Sequence, residues 1–433
     1  MPHAVDAGPG VSITWSQLPF GAKVRQLRIE HGLSLRELAG DGMSVAYLSR
    51  LERGERRPTS RSAEYLAERL GISAQTLEDG ALAVADTPGV LARAELALGS
   101  ALSREGEDAL LDELMDAVRT DPKASVELRW HAAWRIAKRC GDQGKYGEEQ
   151  DWLTWLVELS AEIDDSRLRA RAHVQLARCQ LVLGQTDLAL ASAELAYRLA
   201  AGEGLAAHEV AETLMVLVSA ETEAGHTAQA VRHVVELLAV VSSGSPVLRT
   251  RALWNGAMAH AHADDDEKAR ELMNEALELL DSRDDVILWL RLRIAALSLH
   301  LRLEPLDEAL CESLLAQISS ALALVGTKRH RQESQLLEAR YAFKRGRYER
   351  AAELCTVLEA VPLMFGYRDA VQLVILRGQL LVRGGRTQEG VAALKELAEQ
   401  ARAQSNFKLA AEIWEALALA LSAPDAGHAP GSA

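Results

Sequence analysis

Apolar residues near the N-terminus recur every three or four positions in short runs, which predicts short amphipathic helices. In the first run, Val24 and Leu27 lie on one face, with Phe20 one turn earlier. The Ala- and Leu-rich chain has few β-branched runs, which favours helices throughout. The predicted N-terminal helices span 20–30, 34–39, 44–53 and 60–70, and a short fifth follows Ser73.

The second and third helices begin at serines that can accept hydrogen bonds from free backbone N–H groups. Ser34 is followed three residues later by Glu37, which is the pattern of a capping box. Ser44 can cap the next helix in the same way. The segment Gly40-Asp41-Gly42 joins them as a tight turn. This arrangement predicts a helix-turn-helix, a motif whose second helix reads the DNA major groove.

Beyond residue 88 the chain repeats a pattern of Gly, four residues and Ala, most clearly at Gly184, Gly225 and Gly346. Weaker copies complete a series with a period of about 40 residues. The first positions are Gly144, Gly184, Gly225, Asp264, Glu304, Gly346 and Gly385. Seven residues before each is a mostly small residue, where two helices can cross closely: Ala137, Ala177, Val218, Ala257, Leu297, Ala339 and Gly378.

These patterns predict an all-α chain with a five-helix N-terminal domain and an array of about seven to eight helix pairs. A degenerate eighth pair is expected at 90–119, turning near Gly106, and a closing helix at 407–421. We expect a flexible arm at 1–17, a helix-turn-helix domain at 18–80, a linker at 81–88, the repeat domain at 89–421 and a disordered tail at 422–433.

The N-terminal signature resembles the lambda/Cro-repressor-like domains, also called the xenobiotic-response-element (XRE) family, with a turn one residue shorter than usual. It is carried by Ser44, Leu48, Ser49, Leu51, Glu52, Gly54, Pro58, Leu66, Ala67, Leu70 and Gly71. The resemblance implies base contacts by Val45, Ala46, Ser49 and Arg50, and phosphate contacts by Arg36, Tyr47, Arg53, Arg56, Arg57 and Arg61. It implies a core that includes Leu38, Leu48, Leu51 and Leu66. Glu52 is expected to hold the following loop.

The repeats resemble tetratricopeptide repeats in a longer variant, although other two-helix repeats of similar length remain an alternative. The resemblance implies a right-handed superhelix whose concave face is lined by the first helix of each pair. The lining relevant to a ligand is His131, Trp134, Lys138, Arg171, Arg178, Met215, Arg251, Trp254, Met258, Arg291 and Arg340. Such a basic face can hold a peptide backbone or its C-terminal carboxylate. Alternatively, the arginines pair with acidic residues of neighbouring helices.

Charge is unevenly distributed along the chain, which has a net charge of −14. Residues 18–70 carry 10 Lys/Arg and 7 Asp/Glu, whereas residues 71–433 carry 38 Lys/Arg and 54 Asp/Glu. A basic head and an acidic body suit DNA binding by the head alone, although solubility also explains the acidic body. The four scattered cysteines are typical of a reducing cytoplasm, and we expect no signal peptide or membrane span.

Catalytic and metal motifs are not apparent. There is no Gly-rich phosphate loop, and spacing alone supports no catalytic triad. His260 and His262 lie two residues apart, so on a helix they point in different directions and do not make a metal site. We therefore expect no metal, no cofactor and no enzymatic activity.

The favoured interpretation is a cytoplasmic, homodimeric transcription regulator that binds a two-fold operator and responds to a signal in the repeat groove. The domain order resembles the peptide-pheromone-responsive, quorum-sensing regulators of Gram-positive bacteria, which implies a short peptide as the signal. The alternatives are an adaptor that grips a partner protein and a sensor of a small molecule stacked on Trp134 or Trp254.

Overall fold

The computed structural model describes residues 20–40, 42–56, 58–72, 91–92, 104–121, 124–404 and 406–422. These residues form helices and connecting turns, with no strand within the described ranges. The predicted arm, the linker, the fifth N-terminal helix and residues 423–433 of the predicted tail lie outside them. The chain divides near residue 96 into two compact units, each with its own core.

The N-terminal unit contains the four predicted helices that fall within the described ranges. They are α1 (Phe20–Glu30), α2 (Leu35–Ala39), α3 (Val45–Glu52) and α4 (Ser60–Leu70). The capping box at Ser34 and the cap at Ser44 are both formed. The core joins all four helices and includes the predicted Leu38, Leu48, Leu51 and Leu66, each at most 1% exposed.

The short turn between α2 and α3 is held by Tyr65 of α4. Its hydroxyl donates a hydrogen bond to the Ala39 carbonyl at 2.9 Å and accepts one from the Gly42 amide at 3.1 Å. Gly40 has a positive φ of 50°, which favours glycine. A Cβ on Gly42 would lie 2.2 Å from the Tyr65 ring. Both glycines are therefore needed, one for backbone conformation and one for space.

The second unit is an array of helix pairs preceded by α5 (Arg104–Thr120) and closed by α20 (Phe407–Ser422). Each helix packs mainly against its neighbours along the chain, as in other repeat proteins. The seven pairs are α6 (Val126–Asp142) with α7 (Tyr146–Ile163), α8 (Ser166–Val182) with α9 (Thr186–Gly202), α10 (Ala207–Glu223) with α11 (Thr227–Val240), α12 (Pro246–His262) with α13 (Asp266–Leu279), α14 (Val286–His300) with α15 (Glu308–Val325), α16 (Lys328–Lys344) with α17 (Tyr348–Glu359), and α18 (Tyr367–Arg383) with α19 (Thr387–Ala403).

The turn within each pair coincides with the predicted series. Five of the seven first positions are glycines with positive φ, and Asp264 takes the same left-handed conformation at φ 59°. Aspartate tolerates this region better than most residues. At these six positions the second helix begins two residues later, whereas after Glu304 it begins four residues later. The repeat period therefore records a backbone requirement of the turn.

The residues seven positions before these turns are all buried, as predicted for close helix crossings. One close crossing joins Gly378 and Gly390. A Cβ on Gly390 would lie 2.5 Å from the Gly378 carbonyl oxygen, so a larger residue would push α18 and α19 apart. The expected turn near Gly106 is wrong, because this residue lies in the first turn of α5. The closing helix is confirmed and extends to Ser422.

One helix of the described chain, α15, is long and apolar enough to cross a membrane by length and composition alone. Its Cys311, Leu314 and Ile318 are fully buried against neighbouring repeats. It is the second helix of the fifth pair and packs one face on the array, which places it in the repeat series.

Candidate DNA-reading helix and ligand cavity

The outer face of α3 presents the residues predicted to contact bases. Val45, Ala46 and Arg50 are exposed and Ser49 is half-buried, while Leu48 and Leu51 point into the core. The Arg50 Nε donates a hydrogen bond to the Ala46 carbonyl at 3.2 Å, which lays the side chain along the helix. The four residues thus share one accessible surface, and their contacts with bases remain predictions.

The described residues that are predicted to contact phosphates lie on α2, on α3 and the segment that follows it, and on α4. Arg36, Arg56 and Arg61 are exposed. Tyr47 is half-buried, and its hydroxyl donates a hydrogen bond to the Ser62 hydroxyl at 3.4 Å. The remaining predicted contacts are Arg53, which pairs with Glu55 at 3.1 Å, and Arg57, which lies outside the described residues.

Glu52 is structural, but its partner differs from the one expected. Its two carboxylate oxygens accept hydrogen bonds from Arg28 of α1 at 2.7 and 2.9 Å. Arg28 also donates to the Leu33 carbonyl at 3.0 Å. The pair therefore ties the end of α3 to α1 and to the entry of α2. The carboxylate raises the pKa of Arg28 above its usual value, chiefly through the hydrogen bond.

The repeat array encloses a cavity of about 2600 Å³ between the first helices of its pairs. It brings together most residues predicted for the groove: Lys138, Arg178, Met215, Arg251, Trp254, Met258, Arg291 and Arg340. Its lining contains twelve Lys or Arg and seven Asp or Glu, which inverts the charge of the acidic chain. The cavity on the concave face therefore has a net positive lining.

Three residues predicted for the groove do not line this cavity. His131 is exposed near the start of α6. The Trp134 ring stacks on Trp130, with centroids 5.2 Å apart. Arg171 is exposed and pairs with Glu209 of the next repeat at 3.0 Å. The cavity is lined by the later turns of α6 and α8, from Lys138 and Gln175 onward, whereas these three residues lie nearer the start of the two helices and outside the cavity.

Two cavity arginines are neutralised within the protein, as the alternative interpretation expected. Glu212 of α10 accepts from Arg178 of α8 at 2.5 Å, and from Arg251 of α12 at 2.8 Å. Burial alone would raise the pKa of Glu212, but the two guanidinium groups reverse this and hold it below its usual value. This triad joins three successive repeats, so Arg178 and Arg251 have a structural role.

Arg291 and Arg340 differ, because neither forms an ion pair with any described residue. The Arg291 guanidinium lies 5.6 Å from the centre of the Trp254 ring, which is a cation–π arrangement. Burial lowers the pKa of both, to about 10 for Arg340, where Asp369 acts in the opposite direction. Arg291 is exposed to the cavity and Arg340 is half-buried in its wall, so an anion bound between these groups would accept charge-assisted hydrogen bonds from them.

Contacts between early and late repeats close one side of the cavity. The Tyr146 hydroxyl donates to the Met364 carbonyl at 2.6 Å. Arg368 of α18 donates to Glu223 of α10 at 2.8 Å and to Glu412 of α20 at 3.0 Å. Burial lowers the pKa of Arg368, but the two carboxylates more than offset this and raise it. The array therefore closes upon itself through charged groups.

Sequence reasoning missed the residues of this closure, although a signal for part of it was present. Arg368 lies four residues before Gln372 of the cavity lining, one helical turn earlier on the same face of α18. Arg329 relates to Glu333 in the same way, and it donates to the Tyr146 hydroxyl at 3.1 Å. Extending the predicted lining by one helical turn toward the start of each first helix would have included both arginines. Their partners in distant repeats follow only from the curvature of the array.

Comparisons with known proteins agree with this architecture. A helix-turn-helix family model matches residues 24–77. The HTH-type transcriptional regulator DdrOP3 of Deinococcus deserti is 38% identical over 150 residues, which cover 33% of this chain and 96% of that protein. The relative thus corresponds to one third of the chain, and the remaining two thirds have no counterpart in it.

Solved structures with the same fold cover the repeat array as well. A Rap protein complexed with competence and sporulation factor gives a TM-score of 0.52 at 12% identity, covering 93% of this chain and 98% of that one. NprR in complex with its cognate peptide NprX gives 0.52 at 15% identity, covering 88% and 99%. At these identities the likeness shows a common helical-repeat fold. The helix-turn-helix domain and the DdrOP3 match together show that the chain belongs to the HTH-type transcriptional regulators.

Proposed function

We propose that this transcription regulator is controlled by a short, negatively charged peptide bound in the repeat cavity. The observation that carries the proposal is a pair of arginines in the cavity lining, Arg291 and Arg340, that form no ion pair with another described residue. A side-chain or C-terminal carboxylate would supply the missing charge through charge-assisted hydrogen bonds. Trp254, beside Arg291, offers an apolar surface next to that charge.

Other features of the cavity suit a peptide backbone. Asn255 donates to the Met215 carbonyl at 3.1 Å and to the Ser219 hydroxyl at 2.8 Å, while its own buried carbonyl oxygen has no partner. These two hydrogen bonds fix the Asn255 amide in the cavity lining, beside Trp254 and Arg251. The two solved structures of the same fold hold a signalling factor or a cognate peptide. The contacts that close the cavity favour a short ligand over an extended segment of a partner protein.

The head would bind a two-fold operator as a homodimer, with Val45, Ala46, Ser49 and Arg50 at the bases. A ligand that binds more tightly to one arrangement of the array shifts the population toward it and changes operator affinity by a coupling free energy. The protein would then act on the chromosome in the cytoplasm and would have no catalytic role.

Peptide binding can be tested with two arginine variants of the same cavity. Acidic and neutral heptapeptide libraries are equilibrated with the full chain, and retained peptides are identified by mass spectrometry. We expect enrichment of acidic peptides, a loss of about 10-fold or more in affinity for Arg340→Ala, and little change for Arg178→Ala, since Glu212 keeps Arg251. Retention of no peptide, or equal retention by both variants, would contradict the proposal.

Operator binding is tested separately by sequencing genomic fragments retained by the protein at a stated salt concentration. We expect a few two-fold sites that Arg50→Ala fails to retain. Uniform retention by both proteins would show that the head binds DNA without sequence preference, and the peptide proposal would be unaffected.

A further inference from the structure

The closing helix α20 is apolar on two sides. One side, with Leu409, Ile413 and Leu417, is buried against α18 and α19. The opposite side exposes a second stripe at alternating spacings of four and three residues: Phe407, Ala411, Trp414, Ala418 and Leu421. A helix that is apolar on both sides is normally covered on both sides.

The exposure of this stripe is concentrated. Phe407 is 66% exposed, Trp414 43% and Leu421 52%. None of the five residues lines the ligand cavity. Other exposed apolar residues, such as Val235 on α11 and Leu188 on α9, stand singly on their helices and need no special explanation. A continuous row of large side chains along one helix marks an interaction surface.

The stripe has the spacing of a two-helix contact. Apolar residues at alternating intervals of three and four form the seam through which helices pack in coiled coils. From Phe407 to Leu421 the row is about 21 Å long at 1.5 Å per residue. Within the array, this side of α20 is where the second helix of an eighth pair would pack. The surface therefore fits a helix.

We propose that the occupant is α20 of a second copy of this chain, packed antiparallel across a two-fold axis. In the register centred between Glu412 and Ile413, Trp414 faces Ala411 of the second copy, and Phe407 faces Ala418 of the second copy. Both aromatic side chains meet an alanine, while Leu421 falls opposite position 404, before the start of α20. The aromatic and alanine positions are therefore complementary to themselves, as a two-fold interface requires. A parallel pairing would instead set Trp414 against its own equivalent and leave the alanines facing each other.

Two further facts favour a second copy over another occupant. Residues 423–433, which follow the helix, contain no Leu, Ile, Val, Met, Phe, Tyr or Trp that could cover the stripe. A helix-turn-helix regulator on a two-fold operator also requires a two-fold protein. A single helix contact is smaller than the roughly 800 Å² per partner of a standard interface, so the free dimer dissociates on dilution and the operator reinforces it.

Cysteine cross-linking of the full chain tests the register directly. The four native cysteines are buried, so an introduced exposed cysteine is the main reactive thiol. Phe407→Cys and Ala418→Cys variants are mixed and mildly oxidised, and the products are separated without reductant. We expect the mixed disulfide to form at least about 10-fold faster than either homodimer, whereas Val235→Cys remains monomeric. A mixed product no faster than the homodimers, or equal cross-linking of Val235→Cys, would overturn the proposal.

Sedimentation equilibrium gives the independent measurement. The wild-type chain and Val235→Glu are expected to show the same concentration-dependent dimer, and Trp414→Glu and Ala418→Glu to remain monomers with unchanged helical circular dichroism. A wild-type monomer at every concentration, or a dimer unaffected by both α20 substitutions, would contradict the proposed interface. Neither measurement involves a ligand, so the result is independent of the peptide proposal.

Discussion

The head and the cavity use arginine in opposite ways. On the head, Arg36, Arg50 and Arg61 stand exposed in water, where an unpaired charge costs little and is free to meet a phosphate or a base. In the cavity, Arg178 and Arg251 share Glu212, while Arg291 and Arg340 line the cavity without forming an ion pair with another described residue. The same residue type therefore serves affinity for DNA at one end and specificity for an enclosed anion at the other.

The largest expected effect tests whether the two regions are independent. Leu48 is fully buried in a core that, among the described residues, is formed by residues 20–72. Leu48→Ala should lower the free energy of unfolding of the head by about 2–5 kcal/mol. Thermal unfolding by circular dichroism, with operator and peptide binding measured in parallel, should show lost DNA binding and retained peptide binding. Leu297→Ala, in the array core, is the reciprocal control. Loss of both DNA and peptide binding in Leu48→Ala would show that the two regions are not independent.

The next effect concerns the charged closure of the cavity. Arg368→Ala removes the bridge between Glu223 and Glu412 and leaves two half-buried carboxylates without their cation. We expect the array to lose roughly 1–3 kcal/mol of unfolding free energy and to exchange amide hydrogens faster in α18 and α20. Arg377→Ala, on the same helix with an exposed partner in Glu359, should cost under about 1 kcal/mol. Equal losses of unfolding free energy in the two variants would show that the contacts of Arg368 do not stabilise the array.

On the head, base readout and phosphate contact separate by their salt dependence. Arg50→Ala should cost about 1–3 kcal/mol on the preferred operator and relax specificity at one base pair. Arg61→Ala should weaken binding to all sequences alike and reduce the slope of log affinity against log salt by about 1. Fluorescence anisotropy with operator and scrambled duplexes at several salt concentrations distinguishes the two. A uniform loss in Arg50→Ala would reassign it to the phosphates.

The smallest effect is a pH dependence confined to the cavity. Burial, with Glu333 nearby, raises the pKa of Asp369 to about 6, against the pull of Arg329, Arg340 and Arg368. As pH falls from 7 to 5 this carboxylate is neutralised, so an acidic peptide should bind a few-fold more tightly. Titration calorimetry across this range should show the change in the wild type and a much flatter profile for Asp369→Asn. A profile unchanged by the substitution would exclude Asp369 as the titrating group.

The same group has a predictable effect on stability. Its pKa in the folded protein lies above the unfolded value of about 3.9, so the folded state holds the proton more tightly. The associated stabilisation is present below about pH 4 and is lost as pH rises through 6. Asp369→Asn should therefore be relatively more stable than the wild type at pH 7 than at pH 4, as measured by urea denaturation.

The head could be predicted from sequence almost completely because its determinants are local. The bounds of α1 and α4, the caps at Ser34 and Ser44, and the leucine core all follow from residues within a few positions of each other. The role of Tyr65 in holding the shortened turn could not be foreseen, since it lies 23 residues from Gly42. The partner of Glu52 was mistaken for a similar reason, because Arg28 is 24 residues away.

The sequence by itself determined the helix-turn-helix, the period of the repeats and the basic character of the concave face, since helical spacing and left-handed turns are local properties. Only the tertiary structure decided which cavity arginines are neutralised, that Arg368 reaches from the seventh pair to Glu223 of the third, and that one side of α20 stays uncovered. Those outcomes depend on small rotations between successive repeats, which add up along the array. The sequence of one repeat therefore does not determine the total curvature of the array.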